Sequence, residues 1–176
     1  ALLAEWHVTT FGTAQGLPSP RVDHIAVASD GTVWAGTARG VAWFDDFRWH
    51  AVDVESGPLE FTPSFIVPVH GGGDEIIVGG ANGLLRGGRA GLRHFLSRSM
   101  GRQVAAPSPD VVHVVIDDGI SGFTQDGSRV PDELFPELVD ERVIAVWAPL
   151  PGVLWITSER GMYRWDAGGG LVLRYA

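Results

Sequence analysis

Among the pairs of neighbouring carboxylates, Asp45-Asp46, Asp74-Glu75 and Asp117-Asp118 have the residue type for acid–base chemistry. Two carboxyl groups held close push their pKa values apart, so that one can donate a proton while the other accepts. Their surroundings point elsewhere. Each pair lies between two apolar runs at the spacing of a hairpin turn, where such side chains bond local backbone and stay solvated. The six histidines supply the other type of general base. His24, His70 and His113 fall in or beside expected inner strands, His7, His50 and His94 on expected outer strands. A lone histidine in an inner strand is more often a hydrogen-bonded core residue than a ligand. No two of them are equivalent in the spacing of the chain, so a ring of histidine ligands is not expected. The stretch GGGDEIIVGG (71–80) has the glycines of a phosphate loop but not its Lys-Ser/Thr ending, and reads as a glycine-rich hairpin. Cysteine is absent, which removes thiol nucleophiles, disulfides and Cys-ligated zinc. The expectation is no catalytic residue, no metal and no cofactor.

The elements that would carry any site are repeated. Residues 16–45 hold a GLPS turn, an alternating apolar run, a Ser29-Asp30-Gly31 turn, a run with Trp34, a turn closed by Gly40 and a third run ending at Phe44-Asp45. Period-two alternation bounded by Gly, Asp and Ser means antiparallel strands joined by hairpins. The pattern returns without a gap 121 positions later: Arg21 falls on Arg142, Val22 on Val143, Gly31 on Gly152, Trp34 on Trp155, Gly40 on Gly161 and Asp45 on Asp166. Two weaker copies lie between, with Gly40 meeting Gly83 and then Gly119. A repeat of about 40 residues is the length of a four-stranded propeller blade. The expected fold is therefore all-β, a β-propeller of about four readable four-stranded blades, either a small ring or a segment of a larger one. One domain spans 1–176, with repeats at about 5–54, 55–97, 98–128 and 129–176.

Within that frame Trp34 and Trp155 are expected between adjacent sheets, and Gly40 and Gly161 at tight bends with positive φ. Thr37 and Ser158 would bond backbone across the same bend. Residues 98–110 read as an exposed loop. The segment VPDELFPELVDE (130–141) places Leu134, Phe135, Leu138 and Val139 on one side, but Pro136 limits it to short turns. It is either a blade connection packed on the ring or a docking element. A strand near Trp6 and the tail Leu171–Tyr175 both read as outer strands of the last blade. Either the tail adds a fifth strand, or the chain is part of a larger ring, or two copies associate.

The binding candidates are the positions at which the repeats disagree. Arg39, Asn82, Asp118 and Arg160 each precede the turn glycine between second and third strands, on loops that open on one face. Polar residues that vary over a repeating framework are what a binding face presents. Arg21 and Arg142, just before the inner strands, would lie near that face, where a guanidinium can take a carboxylate or sugar hydroxyls. The alternative is that exposed loops simply carry charge. A net charge of −8 without a basic cluster leaves nucleic acid an improbable partner, and no apolar run is long enough to span a membrane. A small molecule or a protein is the expected ligand.

The same residues carry a family resemblance. GLPSPRV…SDGTVWAGTARGVAWFD (16–45) resembles the two-component regulator propeller repeat: GLPS, an apolar strand, Asp-Gly, Trp, Gly-Thr and a later Gly. The match is good again over 141–166, partial at 64–85, where Ile77 stands for Trp, and faint at 108–123. GLPS itself occurs once. The resemblance implies the extracytoplasmic sensor portion of a bacterial signalling protein, built from about seven blades, periplasmic or extracellular, binding a ligand or partner without catalysis. Only four blades are readable here, and no kinase, cyclase or membrane segment accompanies them. The alternative is a propeller enzyme resembling streptogramin lyases, which needs a His–Glu pair and a divalent metal on one face. Glu159 is the only acid in the second-to-third-strand loops of the two best-matched copies, and no histidine shares its loop.

Overall fold

The computed structural model describes residues 8–55, 62–81, 83–97, 103–131, 135–138, 140–168 and 170–175. Its elements are β-strands and two 3-10 turns. Blade 1 comprises β1 (Val22–Val27), β2 (Val33–Thr37), β3 (Gly40–Asp45) and β4 (Arg48–Ala51), and blade 2 comprises β5 (Phe65–Pro68), β6 (Ile76–Gly80), β7 (Gly83–Gly88) and β8 (Gly91–Ser97). Blade 3 has β9 (Gln103–Ala105), β10 (Val111–Ile116) and β11 (Gly119–Thr124), and blade 4 has β12 (Val143–Leu150), β13 (Val153–Ser158), β14 (Gly161–Asp166) and β15 (Gly170–Tyr175). Each blade is an antiparallel meander in chain order. Blade 3 has three strands, and a single bridge from Phe123 to Arg129 stands where its fourth would be. The fold is all-β, a run of four propeller blades.

Register, more than composition, makes the repeats equivalent. In blade 1 Ala26 pairs Trp34, which pairs Trp43; in blade 4 Trp147 pairs Trp155, which pairs Arg164. The inner strands of both blades carry an irregularity at the same place, Val22/His24 and Val143/Ala145. Blade 2 pairs Ile77 with Arg86, and blade 3 pairs His113 with Gly122. Trp34, Ile77, His113 and Trp155 thus occupy one position of the second strand. His113, expected in or beside an inner strand, lies on the second strand of blade 3, beside its inner strand, at the tryptophan position that the Gly40–Gly119 offset gives it. Residues 98–110 were expected to be an exposed loop, yet β9 lies inside them, with Val104, Ala105 and Ala106 buried.

That position faces the following blade. Trp34, fully buried, packs with Ile66, Ile76 and Val78 of blade 2. Ile77 packs with Val104, Val112 and Val114 of blade 3. The His113 ring lies edge-on to Phe135 and Trp165, 5.4 and 6.1 Å between centroids. The hydrophobic core is therefore divided into three clusters, one at each junction. Trp155 departs from expectation. It is only half-buried, because no further blade lies beyond it among the described residues. Among the described residues of the 130–141 segment, Pro136–Leu138 form a 3-10 turn, and Phe135 and Leu138 fill the junction of blades 3 and 4. Leu134 and Val139 lie outside the described residues, as does Trp6. The tail supplies the outer strand of blade 4 by pairing with β14.

Buried polar groups tie the blades. Arg86, 1% exposed, makes a two-pronged ion pair with Glu75 (2.9 and 2.8 Å) and donates to the carbonyl of Pro109 in the connection into β10 (2.8 Å). Glu75, expected to be a solvated turn residue, is thus the counter-ion of a buried guanidinium, and removing one member of such a pair strands a buried charge. Asp74 remains at the surface with Arg89. Gly16 (φ 98) packs so tightly on blade 1 that a Cβ would sit 2.0 Å from the Trp49 carbonyl oxygen.

Candidate functional site

The turns between second and third strands do open on one side of the array. Their frame repeats in atomic detail. Thr37 Oγ1 donates to the Gly40 carbonyl (2.9 Å) and accepts from the Arg39 amide (3.2 Å). Ser158 Oγ accepts from the Arg160 amide (3.1 Å). The amide of Ala38 reaches the Arg21 carbonyl and that of Glu159 the Arg142 carbonyl (3.3 and 3.2 Å). Gly40, Gly83 and Gly161 have φ of 126°, 124° and 149°, which a side chain would oppose. In blade 3 the left-handed residues are Asp117 (φ 53) and Asp118 (φ 99) instead, and Gly119 opens the next strand.

Of the six candidates, the structure brings two into contact. Arg142 Nε donates to Asp118 Oδ1 (3.0 Å) and its other arm to Glu159 Oε1 (3.3 Å), linking blades 3 and 4. The Asp118 hydrogen bond, then that of Glu159, raises the Arg142 pKa further above its ordinary value. The Val143 amide donates to the Asp118 carbonyl (2.7 Å), fixing the same corner through backbone. A groove of about 700 Å³ opens here, lined by Val115, Asp117, Asp118, Arg142, Val143, Ile144 and Glu159. Arg21 stands apart, bonded to its own neighbour Asp23 (2.8 Å) and mostly exposed. Arg39 and Arg160 are exposed on the turns of blades 1 and 4. Asn82 lies outside the described residues.

The groove holds three carboxylates and one guanidinium. Arg142, expected to receive a carboxylate, already has two. A ligand carboxylate would have to displace one and then face the others, whereas amines and hydroxyls meet acceptors directly. Sequence reasoning missed Glu141 beneath this corner: it is buried, accepting from Tyr163 Oη (2.6 Å) and from Ser158 Oγ. The signal was faint, since blade 1 has Pro20 and Ala42 at the positions of Glu141 and Tyr163.

Two further spaces lie away from the turns. The inner strands β1, β5, β9 and β12 line a largely apolar cavity of about 380 Å³ with Trp147 and His70 on its wall. There the His70 Nε2 is 2.7 Å from the Ala148 carbonyl, a contact between blades 2 and 4. A space of about 110 Å³ lies beside His113 and Trp165. Burial pushes the His113 pKa down to about 4, and its Nδ1 is closed off without a partner. Among the described residues no group of three or more His, Cys, Asp and Glu side chains is placed to hold a metal ion. No helix among them is long and apolar enough to cross a membrane.

No family model matches this chain, and no curated protein matches it by sequence. Solved structures do match it by shape. The extracellular domain of the proposed one-component system BT4673 from B. thetaiotaomicron aligns over 91% of the chain and 25% of its own length, at a TM-score of 0.59 and 14% identity. That of the proposed hybrid two-component system BT3049 from the same organism aligns over 96% and 26%, at 0.54 and 17%. Virginiamycin B lyase from Staphylococcus aureus aligns over 88% and 55%, at 0.56 and 16%. The fold is that of a β-propeller. The chain spans about a quarter of the two extracellular domains and about half of the lyase. At such identities the propeller is similar in fold alone.

Proposed function

We propose that this chain is a non-catalytic binding segment of an extracytoplasmic sensory propeller, receiving its ligand in the groove between blades 3 and 4. The observation that carries this reading is the Asp118–Arg142–Glu159 cluster. Beside an open groove, this corner holds two carboxylates, Asp118 and Glu159, that stand where blade 1 has Arg39 and Ala38, around an arginine whose blade 1 counterpart is Arg21. The excess of carboxylates favours a hydroxyl-rich ligand, and above all one bearing an amine. The resemblance of the repeats to two-component regulator propellers and the likeness to sensor ectodomains support the sensory role.

Amide spectra of the labelled chain titrated with glucosamine, glucose and glucuronate test this. Shifts at Asp117–Gly119, Arg142–Ile144 and Glu159 are expected, strongest with glucosamine and weakest with glucuronate, and reduced in Asp118→Asn. Tightest binding of glucuronate, or shifts confined to other blades, would contradict the assignment. The enzyme reading rests on the likeness to the lyase. Two of the histidines it could use, His70 and His113, are committed to a backbone carbonyl and to the junction of blades 3 and 4. Breakdown of virginiamycin B by the chain supplied with a divalent cation would restore it.

A further inference from the structure

The junction of blades 3 and 4 has a second opening, at the opposite end of the strands whose turns form the groove. The space of about 110 Å³ there lies between the β9–β10 connection, the turns at Gly152 and Ala167, and the rings of His113 and Trp165. Backbone fixes its walls. The Gly152 amide donates across the junction to the Pro107 carbonyl (2.8 Å), and the Ala167 amide donates to the Gly152 carbonyl (2.9 Å). Ala167 is exposed, so the space meets solvent at that rim.

The polarity of this space is concentrated in one ring. Pro107, Val111, Trp165 and Ala167 offer hydrocarbon, and the Ser108 hydroxyl already accepts from the Val111 amide (3.4 Å). His113 is 2% exposed, and its Nδ1 is closed off without a partner. Among the described residues no hydrogen bond reaches its Nε2 either. Burying an imidazole unpaired costs free energy that Ile77, at the same position of blade 2, does not incur. A ligand that supplies the missing partner recovers part of that cost.

Water is a poor occupant. The volume would take about three molecules of about 30 Å³ each, and each needs two to four polar partners. One imidazole and one hydroxyl do not supply them. A molecule with an apolar body and a single hydroxyl matches better. A hydroxyl can donate to an imidazole nitrogen or accept from its N–H, so it meets Nε2 in either tautomer. Burial keeps the ring neutral, which leaves no charge here to hold an anion. The indole of Trp165 favours a flat body, and an apolar cavity of about 150 Å³ is enough for benzene.

We propose that this space binds a small neutral aromatic alcohol, of the size of phenol, with its ring against Trp165 and its hydroxyl on His113. The site is separate from the carboxylate-rich groove and takes a different class of ligand.

Spectra of the amides and of the Trp165 indole, recorded during titration with phenol, benzene and benzoate at neutral pH, test this. Saturable shifts at Gly152, His113 and Trp165 are expected with phenol. Benzene should bind at the same place roughly three- to tenfold more weakly, as the loss of one hydrogen bond implies. Benzoate should not bind there. Ala167→Leu changes an exposed residue and narrows the rim, so it should remove the phenol shifts while circular dichroism and the amides of Asp118 and Arg142 stay as in the parent. His113→Ile should bind phenol and benzene alike. Absence of saturable shifts in the parent would overturn the proposal. So would equal affinity of the parent for phenol and benzene, or phenol shifts that survive Ala167→Leu.

Discussion

His113 shows how one position in a repeat is adapted to its neighbour. Blades 1 and 4 place tryptophan there and blade 2 isoleucine. In blade 3 an imidazole faces Phe135 and Trp165 edge-on, and burial holds it neutral, with a pKa near 4. An unfolded histidine takes a proton below about pH 6.5, whereas the folded one resists until near 4. Its contribution is therefore complete above about pH 6.5 and falls away as pH drops through that window, by about 3 kcal/mol at the lower end. Urea denaturation of the parent and of His113→Ile, which copies blade 2, should show a shallower loss of stability in the variant between pH 6.5 and 4. Parallel curves would mean that the imidazole is already charged when folded. The offset that puts Gly40 on Gly119 also puts Trp34 on this histidine, but its packing against Phe135 and Trp165 depends on how two blades meet. The groove was half-legible in the same way. Asp118 was visible as a varying residue in a repeating frame and Arg142 as a repeated one, but their mutual bond, and the second bond to Glu159, depend on the apposition of two blades.

At the scale of strands, hydrophobic alternation and turn chemistry were legible because both are local. The hairpins at Asp45-Asp46 and Asp117-Asp118 stand where the carboxylate pairs predicted them. The short β9 was not legible: only three residues long, it follows a polar stretch and precedes prolines, so its extended form comes from pairing with β10. The two tryptophans, alike in sequence, differ in what covers them. Trp34→Ala should cost about 3–5 kcal/mol by leaving a cavity between two blades. Trp155→Ala should cost about 1–2 kcal/mol, since its outer side meets water rather than a sheet. Chemical denaturation separates the two. Equal costs would mean that Trp155 is covered by something the described residues do not include.

The whole molecule is a one-dimensional array, each blade contacting chiefly the next, with its core divided among the junctions. The separation of 121 positions between its best copies announced this order, since equal spacing and identical turn residues required identical register. What spacing alone did not reveal was how the junctions pack, which depends on faces that become visible only once the strands are paired. The most direct test of the arrangement is a nuclear Overhauser spectrum of the Trp34 indole with methyl-labelled isoleucine and valine. Cross-peaks to Ile66, Ile76 and Val78 are predicted, placing the ring between the first and second blades. Cross-peaks instead to Val146 or Ile156, or to methyls of blade 1 alone, would contradict the order of blades on which the rest depends.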